Sequence, residues 1–308
     1  MKSKSGVTCL MTFLTIAAFA CSMMAQGNRS SGAQAGPPKF LNMVHEELKP
    51  GRNGAFDELA TSIARTYNRE NLPVFWLKLE SLTGPSEMLY LSLFDSSEEM
   101  GKSMEAMNGA LATRPDLAQM QERLLQENTS NESTVLGVRR DDMGFRANTI
   151  DFSKMRILRL STIFAHPGYE RAFMEAEWSL SEASQKINAQ AAWAVYEVTA
   201  GLPGPCFIIV TPMGSLKDLD DQLQATEALQ KAESGAIEQR LQELARVAYG
   251  ATDDRLYSVG QKASHVSKEF AAGDPEFWTP ATTSAPSPAA ARTEKTPPKR
   301  TGAPTTKP

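Results

Sequence analysis

The sequence predicts an α+β fold in which one βαββαβ unit is written twice and the two resulting sheets pack on each other within one chain. Three observations predict it. When the chain is slid along itself so that Pro50-Gly51 meets Pro167-Gly168, Ala55, Phe56 and Glu58 fall on Ala172, Phe173 and Glu175. Trp76, Glu80 and Gly84 fall on Trp193, Glu197 and Gly201 in the same alignment. A match over this distance marks a repeat of domain size and not a solenoid. Apolar periodicity also switches between alternation and helical spacing in the same order in both copies. Finally, 308 residues with 41% hydrophobic and 22% charged side chains are enough for two ordinary globular domains.

Each element has its own signal. Phe40 to Leu48 and Met155 to Phe164 read as first strands, each ended by a Pro-Gly turn. Phe56, Leu59, Ile63 and Tyr67 then recur at helical spacing, as do Phe173, Ala176, Leu180 and Ala183. Val74 to Leu82 and Ala192 to Thr199 are second strands. The turns Thr83-Gly84-Pro85 and Gly201-Leu202-Pro203-Gly204 lead to third strands at Met88 to Phe94 and Cys206 to Thr211. Ser96 with Glu99, and Ser215 with Asp218, have capping-box spacing at the start of a second helical region. That region is expected to break in two, the second part holding Leu117, Met120 and Leu124 in one copy and Ile237, Leu241 and Leu244 in the other. Short final strands are expected at Thr134 to Arg139 and Arg255 to Val259.

This is the order of the ferredoxin-like split βαβ unit. Its sheet is covered by helices on one face, so the two bare faces can bury each other. With its strand–Pro-Gly–helix block and the Phe within it, the chain resembles the dimeric α/β-barrel superfamily over about residues 38–265. That superfamily includes antibiotic-biosynthesis monooxygenases, haem-binding enzymes and NIPSNAP-type proteins. The resemblance implies an intramolecular pseudo-dimeric barrel and a monomeric chain, because the duplication supplies a pairing that such families make from two chains. It also implies an active cleft between sheet and helices.

The ends lie outside the repeat. Lys2 and Lys4 precede an apolar run from Val7 to Ala20, so residues 1–25 read as an export signal, cleaved after Ala20 or Ala25. Acylation at Cys21 is the alternative. Export puts the mature chain in the periplasm or outside the cell. Residues 26–37 read as a flexible lead-in, 38–150 and 151–272 as the two repeats, and 273–308 as a disordered tail rich in Pro, Thr and Ala. Formal net charge is -4, which leaves no overall basic footprint for nucleic acid. The three Cys and three His exclude a disulfide scaffold and a Cys- or His-rich metal site. No Ser-His-Asp order, P-loop, G-x-G-x-x-G, H-E-x-x-H or EF-hand loop occurs. No stretch in the mature chain is apolar enough to span a membrane.

Strand parity sorts the candidate site residues. Phe75, Leu77 and Leu79, with Leu89, Leu91 and Leu93, are expected under the helices, as are Leu41 and Met43, and Leu158 and Leu160. The other face then carries Trp76, Lys78, Glu80 and Tyr90 in the first copy, and Arg159, Trp193 and Glu197 in the second. These would converge between the sheets, either as an aromatic-walled pocket or as a wet core. His45 falls on the helix side; the resemblance makes it a possible iron ligand or proton shuttle. His265 reads as exposed. The expected function is an exported, non-catalytic or weakly catalytic protein that binds a small apolar or aromatic ligand, with no cofactor or metal. The alternatives are an oxygenase-type or haem-dependent barrel enzyme and a structural or interaction module.

Overall fold

A computed structural model of the chain describes residues 36–232 and 236–279. The expected leader, most of the lead-in and the tail beyond Thr279 lie outside the described residues. The elements are β1 (Phe40–Leu48), α1 (Asn53–Glu70), β2 (Leu77–Ser81), β3 (Glu87–Phe94), α2 (Ser97–Thr113), α3 (Pro115–Arg123) and β4 (Thr129–Phe145). There follow β5 (Ile157–Ala165), α4 (Glu170–Lys186), β6 (Trp193–Ala200), β7 (Cys206–Met213), α5 (Lys217–Ala232), α6 (Ala236–Ala248) and β8 (Tyr249–Val259). Two short helices, α7 (Lys268–Ala272) and α8 (Pro275–Trp278), end the described chain. Local chemistry sets several boundaries. Gly51 and Gly168 hold φ of +76° and +85° in the two Pro-Gly turns, a region that a side chain would strain. Ser96 caps α2 by accepting from the Glu99 amide. Pro115 occupies the first turn of α3 and separates it from α2.

The eight strands close into one barrel in the ring order β1-β3-β2-β8-β5-β7-β6-β4, and every pairing is antiparallel. The sheets were expected to bury their bare faces against each other. They also join at both edges, β2 with β8 and β4 with β6. Closure pairs the edge N–H and C=O groups that a separate four-stranded sheet would leave open. β4 and β8 run longer than expected and each makes one of the two joints, β4 pairing with β1 and β6, β8 with β5 and β2.

Strand parity groups the residues correctly, but the assignment of faces is reversed. Leu41, Met43, Leu77, Leu79, Leu89, Leu91, Leu158 and Leu160 form the barrel interior with Val135, Tyr196, Ile208 and Val210. The face under the helices holds Trp76 and Tyr90 in one layer, and Trp193 and Val195 in the other. The physical reason is closure. The inside of an eight-stranded barrel is just wide enough for side chains to fill and is cut off from water, so it takes the wholly apolar rows. The helix-covered face is only partly sealed, and Lys78, Glu80, Arg159 and Glu197 can reach its edges.

One end of the barrel is plugged. Phe152 and Met155, from the connection between the halves, pack there with Trp278, Phe270 and Phe277. Trp278 is 9% exposed and donates its indole N–H to the Ser153 carbonyl at 2.7 Å. Arg156 pairs with Asp274 and lies 3.6 Å over the Phe277 ring. The tail was expected to begin at residue 273; the stretch through Trp278 is instead structural, because its aromatics seal a core.

Candidate functional site

The other end of the barrel is open. The mouth is built from the last inward residues of β1 and β5 and the first of β3, β4 and β8, because antiparallel neighbours bring those ends together. It surrounds a cavity of about 170 Å³. Val135, Leu160, Phe164 and Leu202 make its apolar wall. His45, Glu47, Glu87, Asp253, Arg255 and Tyr257 bring its polar groups. A void of this size is comparable to an engineered apolar cavity that admits benzene.

Glu87 is the centre of the polar side. It is 2% exposed, and its Oε1 accepts from Arg255 Nη1 at 2.7 Å and from the Tyr257 hydroxyl. His45 Nδ1 stands 3.8 Å from the same oxygen, an ion-pair distance too long for a hydrogen bond. No described residue donates to Oε2. Burial by itself pushes the carboxyl up, but His45, Tyr257 and Arg255 outweigh it and hold Glu87 down at about 2. The anion is therefore permanent at physiological pH. Burial, then the hydrogen bond to that anion, drives the Tyr257 phenol well above its ordinary range, so it remains a donor. Arg255 also pairs with Asp253 at 2.7 Å.

The expected convergence of Trp76, Lys78, Glu80, Tyr90, Arg159, Trp193 and Glu197 between the sheets does not occur, since all seven point out of the barrel. Trp76 donates to the Ala263 carbonyl at 2.9 Å and meets Tyr67 edge-on. Lys78 is buried and pairs with Asp57 at 2.7 Å and Glu80 at 3.5 Å. Tyr90 packs among the residues beneath α1, with Phe56. Arg159 lies near Asp254 and Gln222 on the outer side of β5. Trp193 packs on Phe145, and Glu197 pairs with Arg140. His45 alone of the candidates reaches the cavity, because it shares the inward face with Leu41 and Met43 and not the helix side. Sequence reasoning missed Glu87, Arg255 and Tyr257. The available signal was the alternation Asp253, Arg255, Tyr257, which marks one face of a strand once β8 is known to begin before Arg255.

The helix-covered layers hold two further carboxyls. Glu46, on the outer face of β1, is 6% exposed with Oε2 unpartnered, and stands directly across from Glu132. Burial, then Glu132, raises it to about 8. Glu177 of α4 is 1% exposed, likewise with Oε2 unpartnered, and burial raises it to about 7 despite Trp193 and Tyr249. A carboxyl that holds its proton more tightly in the fold stabilises fully below its ordinary pKa, and that stability is lost as pH rises through the folded value. For Glu46 the window runs from 4.5 to about 8. Glu46→Gln is expected to match wild type at pH 4.5 and to exceed it by on the order of 4 kcal/mol at pH 9, read as urea midpoints across that range.

The three histidines bear on a haem. His265 is 3% exposed, contrary to expectation, with Nδ1 on Asn68 Oδ1 and Nε2 on the Leu72 carbonyl, both at 2.9 Å. It is drawn in because β2 starts only at Leu77 and the backbone of Trp76 pairs with His265 instead. Burial lowers its pKa, and neither nitrogen is free for a metal. His166 is exposed beside the second Pro-Gly turn. His45 faces a cavity that a tetrapyrrole far exceeds, so these residues do not fit a haem. No group of three or more His, Cys, Asp or Glu residues that could hold a metal occurs among the described residues. None of the described helices is long and apolar enough to cross a membrane.

Fold and site together define a class: an α+β protein whose single chain closes an eight-stranded antiparallel barrel, plugged at one end and open to a small polar-rimmed cavity at the other. Solved structures similar to the chain include an anthrone oxidase-like protein, at 15% identity over 72% of this chain and 91% of that one, with a TM-score of 0.45. A candidate monooxygenase from Fusobacterium nucleatum matches at 8% identity over 74% and 94%, with a TM-score of 0.46. A haem-binding protein from Thermus thermophilus matches at 8% over 74% and 95%, with a TM-score of 0.39. No protein-family model matches the chain, and no curated protein matches it by sequence.

Proposed function

We propose that this is an exported, monomeric barrel that binds a small apolar or aromatic molecule in its open mouth, with little or no turnover. The observation that carries the reading is the cavity of about 170 Å³, apolar on one wall and polar on the other, in a barrel whose far end is sealed. The basic-then-apolar start of the sequence supports export. The internal repeat supports an origin by tandem duplication of a ferredoxin-like unit. So does the ring order, which runs β4-β1-β3-β2 and then β8-β5-β7-β6.

Benzyl alcohol, titrated into the full chain and followed by calorimetry, tests the reading. Binding is expected. Ser133 is exposed at the cavity rim, so Ser133→Trp should cover the mouth and weaken binding at least about tenfold without changing the melting temperature. Equal binding by the two proteins would place the ligand elsewhere. A second reading has one observation in its favour: His45 faces the cavity 3.8 Å from a permanent carboxylate, the arrangement of a proton shuttle in an enzyme.

A further inference from the structure

We infer that the molecule bound at the barrel mouth carries a cationic amine beside its apolar or aromatic body. The inference rests on the barrel-mouth reading and adds the charge of the occupant. The lining carries three carboxylates, Glu47, Glu87 and Asp253, against a single guanidinium, that of Arg255. That guanidinium is already engaged at both ends, Nη1 on Glu87 and Nη2 on Asp253, each at 2.7 Å. Among the described lining residues, then, the one guanidinium is committed to carboxylates of the protein itself. Two acceptors are open. Glu87 takes the Arg255, Tyr257 and His45 contacts on Oε1, and no described residue donates to Oε2. Glu47 lies exposed at the rim, and no described cation pairs with its carboxylate.

The two acceptors have different solvation. Glu87 is nearly fully buried, whereas Glu47 is in water. An ammonium placed between them would keep part of its hydration while gaining a charge-assisted hydrogen bond from the buried side, where the field is least screened. A carboxylate in the same place would meet like charge from Glu47 and Glu87, with both ends of the lining guanidinium already taken. The ring of such a ligand would rest on Phe164, Leu160 and Val135.

Benzylamine, benzyl alcohol and benzoate share one ring and differ in head-group charge, so their titration into the full chain at pH 7 isolates the effect. Benzylamine is expected to bind about tenfold more tightly than benzyl alcohol, with benzoate weaker than both. Glu47→Gln removes only the exposed carboxylate; it should narrow the advantage of benzylamine over benzyl alcohol without abolishing it, because Glu87 remains. If benzyl alcohol binds and benzylamine binds no better, or benzoate binds as well as the amine, the charge selectivity is overturned and the binding site stands. If none of the three binds, the site itself falls and the selectivity with it.

Discussion

Replacing Arg255 by Met is expected to destabilise the protein by about 3–5 kcal/mol at pH 7, because it leaves the Glu87 carboxylate buried without its guanidinium. Glu87 is 2% exposed, so solvent cannot take over that role. The double variant Arg255→Met with Glu87→Leu should recover much of the loss, since removing both charges also removes the desolvation cost. Urea denaturation of the four proteins closes the cycle; additive losses would show that the two side chains do not act as a pair. The wild type carries a matching pH signature. Glu87 is held at about 2 against an ordinary 4.5, so its stabilisation is present above 4.5 and is lost as pH falls toward 2. That amounts to on the order of 3 kcal/mol. Glu87→Gln should flatten the acid limb of the stability curve across that interval, and an unchanged acid limb would contradict the ionised state assigned to the mouth.

Trp278→Ala is expected to cost about 3–5 kcal/mol, the range for removing a buried indole that leaves a cavity. Three contributions act together: the lost apolar burial at the plugged end, the lost edge-on contacts with Phe270 at 5.3 Å and Phe277 at 4.9 Å, and the lost indole bond to the Ser153 carbonyl, which keeps only Arg156 at 3.5 Å. A chain ending at Thr279 should match the full-length protein within about 0.5 kcal/mol, because every plug contact described lies before that point. Thermal and urea melts of the two variants separate the claims. A small effect of Trp278→Ala would mean that the barrel end is held by the connection between the halves and not by the C-terminal segment.

How far the sequence reached differs from element to element. The strands flanking the Pro-Gly turns were legible because turn chemistry and alternation coincide there, as at β1 and β5. β4 and β8 were read too short because their outer stretches are runs of polar and charged residues, as in Thr252 to Arg255, which look like loop until a partner strand is known. The site was hardly legible. Glu87 precedes the apolar run of β3 and reads as a turn residue. Its partners Arg255 and Tyr257 come from the far end of the chain, and His45 was assigned to the opposite face.

The sequence by itself determined the order of elements and which residues share a face of each strand, because local turn chemistry and period-two alternation are properties of neighbouring residues. Only the tertiary structure decided which face turned inward. That choice follows from closure: once β2 meets β8 and β4 meets β6, one face of every strand loses water entirely and must be the apolar one, except at the open end, where Glu87 keeps its charge among partners drawn from two other strands.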